Sequence, residues 1–114
     1  MDCIFCKIIK GEIPSKKIYE DEKVLAFYDA SPQAPVHFLV IPKEHFRNFQ
    51  DISLDKLEIV SHIFKIIQII AKQLNLEDGV RIVNNYGKDG GQTVDHLHFH
   101  VLAGRSLKWP PGWF

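Results

Sequence analysis

Long apolar runs, a dominant charge and a disulfide-rich framework are all missing from this 114-residue chain. Its most apolar stretch, from Ile59 to Leu74, is interrupted by Lys65, Gln68, Lys72 and Gln73, and it falls short of the roughly 20 apolar residues that a bilayer span requires. No membrane partner is therefore expected. Lys plus Arg equals Asp plus Glu at 14 each, so the overall charge attracts no polyanion. No local basic patch compensates, which argues against a nucleic-acid surface. A small phosphorylated ligand in a pocket stays compatible with this neutrality. The start, Met1 to Lys7, lacks a basic segment followed by an apolar run, so no secretory signal is expected and the expected location is cytoplasmic. Only Cys3 and Cys6 carry thiols. In a reducing compartment that spacing favours metal ligation or redox chemistry over a structural disulfide.

With 46% hydrophobic residues the chain is long enough for one core and too short for two, so residues 1–114 are read as one domain. No repeat or low-complexity tract divides it. Ile4, Phe5, Ile8 and Ile9 recur at helical spacing and predict a short helix stopped by Gly11. Lys17–Glu20 and Lys23–Tyr28 flank the polar Glu20-Asp21-Glu22 as a hairpin. Val36–Ile41 is a third strand between Pro35 and Pro42, neither of which can donate to a ladder. Ser53 is placed as the N-cap of the main helix. Leu57, Val60, Ile63, Phe64, Ile67, Ile70, Ala71 and Leu74 share one face of it, and it ends near Asn75. Val80–Asn84 and Asp95–Leu102 complete five strands, separated by the turn-rich Gly87 to Gly91. Strands outnumber helices and short turns join them, so the expected class is α+β: a five-stranded antiparallel sheet with one long and one short helix.

His96, His98 and His100 alternate with Leu97, Phe99 and Val101, a period of two that puts three imidazoles on one face of a strand. A lone histidine is most often a hydrogen-bonded structural residue; three on one face beside a glycine turn point to chemistry. An imidazole near its ordinary pKa of about 6.5 offers a neutral nitrogen to attack phosphorus, while a protonated neighbour stabilises negative charge. Upstream, Gly90-Gly91-Gln92-Thr93 supplies backbone amides that can approach phosphate oxygens closely, together with a hydroxyl.

Asn85-Tyr86-Gly87, Gly90-Gly91-Gln92-Thr93 and His96-Leu97-His98-Phe99-His100-Val101-Leu102 resemble, in that order, the histidine triad superfamily and its nucleotide-binding branch. Asp29 to Lys43 and Trp109-Pro110-Pro111-Gly112 extend the likeness over nearly the whole chain. The resemblance implies a homodimer whose two sheets join into one continuous ten-stranded sheet. It also implies cleavage of the P–N bond of purine nucleoside 5'-monophosphoramidates through a covalent nucleotidyl intermediate on His98. By the same similarity His100 and His37 orient or charge-balance the site, Asn85, Gly91 and Gln92 hold phosphate oxygens, and Thr93 stands near the leaving group. The family usually has serine at that position. Asp29 matches the acidic residue that accepts from the ribose hydroxyls. Ile4, Phe5, Ile8, Phe27 and Leu39 line an apolar base pocket, where Ala30 replaces a larger branched residue. Trp109 reaches toward the partner subunit's site, the alternative being a tail docked on its own domain.

Cys3 and Cys6 have the C-x-x-C spacing of two tetrahedral zinc ligands. Relatives of the bacterial type complete such a pair with the histidines that match His45 and His96, which implies a structural zinc in a closed shell and withdraws His96 from chemistry. No metal is required for catalysis. The alternatives are two free thiols, or a redox pair, for which no thioredoxin-like βαβ pattern is present. His62 is read as a surface or packing residue. Three other functional readings stay open. Cleavage of dinucleoside polyphosphates is disfavoured by the Trp109-Pro110-Pro111-Gly112 tail. A non-catalytic nucleotide-binding scaffold is the second. The third, a catalytic transition-metal site on the histidine strand, lacks a glutamate or further histidine where such sites supply one.

Overall fold

The computed structural model describes residues 3–111; Met1, Asp2, Gly112, Trp113 and Phe114 lie outside the described residues. The element order is α1 (Ile4–Ile9), β1 (Lys17–Glu20), β2 (Val24–Tyr28), β3 (Val36–Pro42), α2 (Glu58–Gln73), β4 (Arg81–Asn84) and β5 (Phe99–Ala103). The five strands form one sheet in the order β1-β2-β3-β5-β4, antiparallel at every pairing. This is the expected α+β arrangement.

The central strands are buried on both faces, so their alternation sorts residues between two cores rather than between core and solvent. Val24, Ala26, Phe38, Val40, Phe99 and Val101 join Ile63, Ile66, Ile67 and Ile70 of α2 in the larger core. Leu25, Phe27, Leu39 and Ile41 point the other way, onto Phe5 and Ile8 of α1. Each buried isoleucine of α2 contributes about 1.5–3 kcal/mol. The α1 helix has only six residues, too few to persist without this packing. His37 and His100 fall on the α1 face, because β3 and β5 pair Leu39 with His100 and His37 with Leu102.

Several expected boundaries move. The main helix begins at Glu58 rather than after Ser53, which instead precedes a 3-10 turn over Leu54–Lys56 without a side-chain capping bond. Its end is as expected: Asn75 takes a positive φ of 56°, and Leu76 N–H bonds back to Ala71 O at 2.9 Å, a left-handed stop that asparagine tolerates. Ile66 belongs to the buried face, whereas Leu57 and Phe64 are 42% and 41% exposed and sit at its margin. Strands β2 and β4 each start one residue late, at Val24 and Arg81.

The larger correction concerns the last strand, which was expected from Asp95 and starts at Phe99. Pairing stops there because Val40 and Asn84 are the last partners of Phe99 on either side. Further along β3 stands Pro42, with no N–H to give. His96 and His98 therefore lie on the approach to the strand, not within it: the chain bends over residues 94–96, where His96 N–H bonds Val94 O at 2.9 Å. Alternation persists, since Leu97 enters the α2 core while both histidines are turned to the other side. No helix among the described residues is long and apolar enough to cross a membrane.

Candidate active site and metal centre

The α1 face of the sheet is not fully covered, and the gap is a cleft of ≈ 970 Å³, within the range of small-molecule sites. Ile4, Phe5, Ile8, Phe27 and Leu39 line its apolar part, and Asp29, His37, Thr93, His98 and His100 supply polar groups. The strand register explains the convergence. Phe27, Leu39 and His100 alternate onto one face of β2, β3 and β5, and α1 leans over that face at Phe5, whose ring meets Phe27 edge-on at 5.7 Å.

Hydrogen bonding assigns each ring nitrogen a role. His98 Nδ1 lies 2.7 Å from the His96 carbonyl. A carbonyl only accepts, so Nδ1 carries the hydrogen and Nε2 keeps a bare lone pair. Gln33 N–H donates to His37 Nδ1 at 3.0 Å, which leaves the hydrogen of neutral His37 on Nε2. That nitrogen is 2.9 Å from His100 Nδ1, so His100 accepts there and carries its own hydrogen on Nε2. The result is a directed chain from Gln33 through His37 to His100. Asp29 Oδ2 stands 3.5 Å from His37 Nε2 and 4.0 Å from His100 Nδ1, and its Oδ1 accepts from Ser31 N–H at 2.7 Å.

Burial lowers all three pKa values. It is the main cause for His37, opposed by the Asp29 charge, and for His98, opposed by the His96 carbonyl and Asp29. Burial, reinforced by His98 and His37 and partly offset by Asp29, brings His100 down to about 4. The rings are neutral at pH 7. Asp29, His37 and His100 place potential metal-ligating atoms within 4.8 Å of one another, yet the Gln33 amide occupies the nitrogen of His37 that would have to carry the proton if Nε2 bound a cation. The two rings are set as a hydrogen-bond chain that starts at the Gln33 amide, with the Asp29 carboxylate beside them as a charge.

A second cluster adjoins the first. Cys3, Cys6, His45 and His96 bring four ligand atoms within 4.8 Å of one another. Cys3 Sγ is 3.3 Å and Cys6 Sγ 3.6 Å from His96 Nδ1, Cys6 Sγ is 3.4 Å from His45 Nδ1, and the two Nδ1 atoms are 3.1 Å apart. A tetrahedral zinc with ordinary bond lengths needs S···N edges of about 3.5 Å and N···N edges of about 3.3 Å. The donor set fits that ion. His96 Nε2 donates to Pro42 O at 2.8 Å, which fixes the tautomer that leaves Nδ1 free, an outer-shell bond typical of metal-bound histidine. Burial, only partly offset by that carbonyl, lowers His96 to about 4. Burial and the neighbouring Cys3 raise Cys6 to about 11.

Four expected site residues do not line the cleft of this chain. Gln92 Nε2 is committed to Arg47 O at 2.6 Å and Val94 O at 3.0 Å, and its Oε1 accepts from Gly87 N–H. Asn85 Nδ2 donates to Gly90 O at 2.7 Å. Gly91, with φ of 74°, lies in the same loop. These three build the loop leading to Thr93 and the histidines. Trp109 is 80% exposed, so its indole is not docked on its own domain; only the preceding backbone is held, by Arg81 Nη2 on Leu107 O and Lys108 O.

Sequence reasoning passed over the groups that orient the histidines: the Gln33 amide, the Pro42, Phe46 and His96 carbonyls, and Asn84, whose Nδ2 donates to His98 O at 2.9 Å. Backbone groups leave no mark on residue identity. Asn84 alone could have been found, as a polar side chain ending an otherwise apolar strand.

The HIT domain model matches residues 10–107. The "14 kDa zinc-binding protein" of Zea mays is 50% identical over 111 residues, covering 96% of this chain and 87% of that protein. A solved histidine triad protein from Clostridium difficile is 55% identical with a TM-score of 0.93, covering 95% of each chain. A HIT family hydrolase from Legionella pneumophila Philadelphia 1 is 45% identical with a TM-score of 0.94, covering 97% of this chain and 100% of that one. With a matching family model over most of its length and relatives at this identity, the chain belongs to the HIT domain family.

Proposed function

We propose that this chain, residues 1–114 acting as a single HIT domain, is a nucleoside phosphoramidase, hydrolysing the P–N bond of purine nucleoside 5'-monophosphoramidates such as adenosine phosphoramidate. The observation that carries this reading is the tautomer of His98. Its Nδ1–H is held by the His96 carbonyl, so the lone pair of Nε2 is available in a cleft with an apolar end for a base. His98 Nε2 attacks phosphorus and forms a P–N bond to the ring. The bond to the leaving amine breaks with its electron pair on nitrogen, which takes up a proton relayed from solvent water through the Thr93 hydroxyl. The attacking water of the second step returns a proton to solvent, and Thr93 ends as it began. The ring's gained positive charge is shared along Nδ1–H toward the carbonyl. Water then attacks the phosphorus, releases the nucleoside monophosphate and restores His98. His100 Nε2–H, directed by His37, donates to a phosphoryl oxygen as charge builds there. Asp29 accepts from the ribose hydroxyls, and Ile4, Phe5, Ile8, Phe27 and Leu39 hold the purine. Asn85, Gly91 and Gln92 act through the loop that presents Thr93.

Zinc in the Cys3, Cys6, His45 and His96 site supplies a structural cross-link and no step of the reaction. The name of the maize relative and the donor geometry both favour that ion. The half-buried edge strand β4 and the exposed Trp109 favour a homodimer with a continuous ten-stranded sheet, in which the tail of one protomer nears the site of its partner. A reducing cytoplasm would keep both thiols available for the metal.

The test is a comparison of kcat/KM for adenosine phosphoramidate and for a diadenosine polyphosphate. The reading expects the phosphoramidate to be preferred by at least about a hundredfold. A preference in the opposite direction would assign the chain to polyphosphate cleavage.

A further inference from the structure

Resting on that reading of the cleft, we propose that His96 is a two-ended positioning residue: its ring is held in the Cys3–Cys6–His45 cluster while its carbonyl holds His98. Metal occupancy and nucleotide binding are thereby thermodynamically linked.

The approach to β5 is where this follows. His98 precedes the first ladder residue, Phe99, so sheet pairing does not set its position. What holds the segment is a handful of bonds: Leu97 N–H to Phe46 O at 2.7 Å, Asn84 Nδ2 to His98 O, and His96 Nε2 to Pro42 O. The His96 carbonyl is the sole hydrogen-bond partner of the His98 ring among the described residues, at 2.7 Å. Its direction depends on where the His96 ring is anchored. If that ring swings free, His98 Nδ1–H loses its acceptor and the opposite tautomer becomes populated, which presents an N–H where the cleft requires a lone pair.

A second route runs from the same cluster. Phe5 lies between Cys3 and Cys6 on a helix of six residues, and its ring meets His96 at 5.8 Å and His98 at 5.2 Å, both edge-on. Phe5 is also a wall of the cleft. Ligation of the flanking thiols therefore fixes the base-facing wall and the packing of His98 together. His45 contributes in the same sense, because the neighbouring Phe46 supplies the carbonyl that holds Leu97. All four ligands thus act on the two sides of one pocket.

Linkage makes the effect reciprocal: if zinc tightens nucleotide binding by some factor, nucleotide tightens zinc by the same factor. The experiment compares zinc-loaded protein with protein freed of zinc by chelation. Adenosine 5'-monophosphate affinity is measured by calorimetry, and the His98 tautomer by nitrogen NMR of the imidazoles. The expected result is a loss of affinity of about tenfold or more without zinc, together with a shift of His98 from the Nδ1–H form toward a mixture. Equal affinity within about twofold and an unchanged His98 signature in folded, zinc-free protein would overturn the proposal. If adenosine 5'-monophosphate binds neither form, the nucleotide reading fails, and the His98 signature alone decides the positioning role. Should the zinc-free chain unfold, His45→Asn in its zinc-loaded form removes one ligand and keeps three. It is expected to shift His98 in the same direction with a loss of affinity of about threefold or more, and no change in either readout would overturn the proposal.

Discussion

His96 and His98 are two residues apart and both buried, yet their rings occupy surroundings of opposite design. The His96 ring gives Nε2–H to Pro42 O and turns Nδ1 onto two thiols and a second imidazole. The His98 ring gives Nδ1–H to His96 O and leaves Nε2 without a hydrogen-bond partner among the described residues, beside a cleft of ≈ 970 Å³. One nitrogen of each is tied to a carbonyl; the tautomers are opposite. A closed shell of four donors suits a structural cation, and a lone pair beside an empty volume suits a nucleophile. The lesson is that the ring nitrogen claimed by a backbone carbonyl decides which nitrogen is left to face the thiols in one histidine and the cleft in the other.

The division is broken most severely by substituting the rings themselves. His98→Ala is expected to lower phosphoramidate turnover by at least about 10⁴-fold while elemental analysis still finds one zinc per chain. Unchanged turnover would defeat the mechanism. Cys3→Ser combined with Cys6→Ser should remove the zinc and lower the melting temperature by about 10 °C or more. Full zinc content in that double variant would rule out the ligand set.

Acid sharpens the comparison further. His100 titrates at about 4 when folded against an ordinary value of 6.5, so between these values the unfolded chain binds more protons and stability falls as pH is lowered. The neutral ring's contribution is fully present above pH 6.5 and declines below it. His100→Gln should flatten that slope in melts taken across the window, and an unchanged slope would show that His100 does not remain neutral in the fold.

The smallest effect is expected far from both clusters. His62 Nε2 bonds Asp21 Oδ2 at 2.7 Å and joins α2 to the β1–β2 turn. Burial alone would raise the Asp21 carboxyl, but bonds from His62, the Lys23 amide, Tyr19 and the Val24 amide outweigh it and hold it well below the usual carboxylate range. Since both side chains are one-quarter exposed, His62→Ala should cost only about 1 kcal/mol in denaturant unfolding. Zinc content and nucleotide affinity should not move.

Residue order made much of this legible. The period-two run placed Leu97, Phe99 and Val101 in one core, and the apolar residues of α1, β2 and β3 that the family resemblance grouped line one cleft. His62, read as a surface or packing residue, proved to be a pin between helix and turn. The start of β5 was misplaced because alternation reports facing, whereas a strand also needs partners, and Pro42 and Asn84 end the supply. The family resemblance gave Gln92 and Asn85 phosphate contacts; in the fold both Gln92 amide hydrogens go to the Arg47 and Val94 carbonyls and Asn85 gives one to Gly90 O, all within loop closure. The orienting carbonyls and the Gln33 amide are main-chain groups that any residue could provide, so only the folded arrangement reveals them.

The most direct measurement is mass spectrometry of protein quenched shortly after mixing with adenosine phosphoramidate, followed by peptide mapping of any adduct. The account predicts one adenylyl group on the peptide containing His98, absent from His98→Ala. An adduct on another residue, or steady turnover through a path that leaves His98 unmodified in every quenched sample, would contradict it.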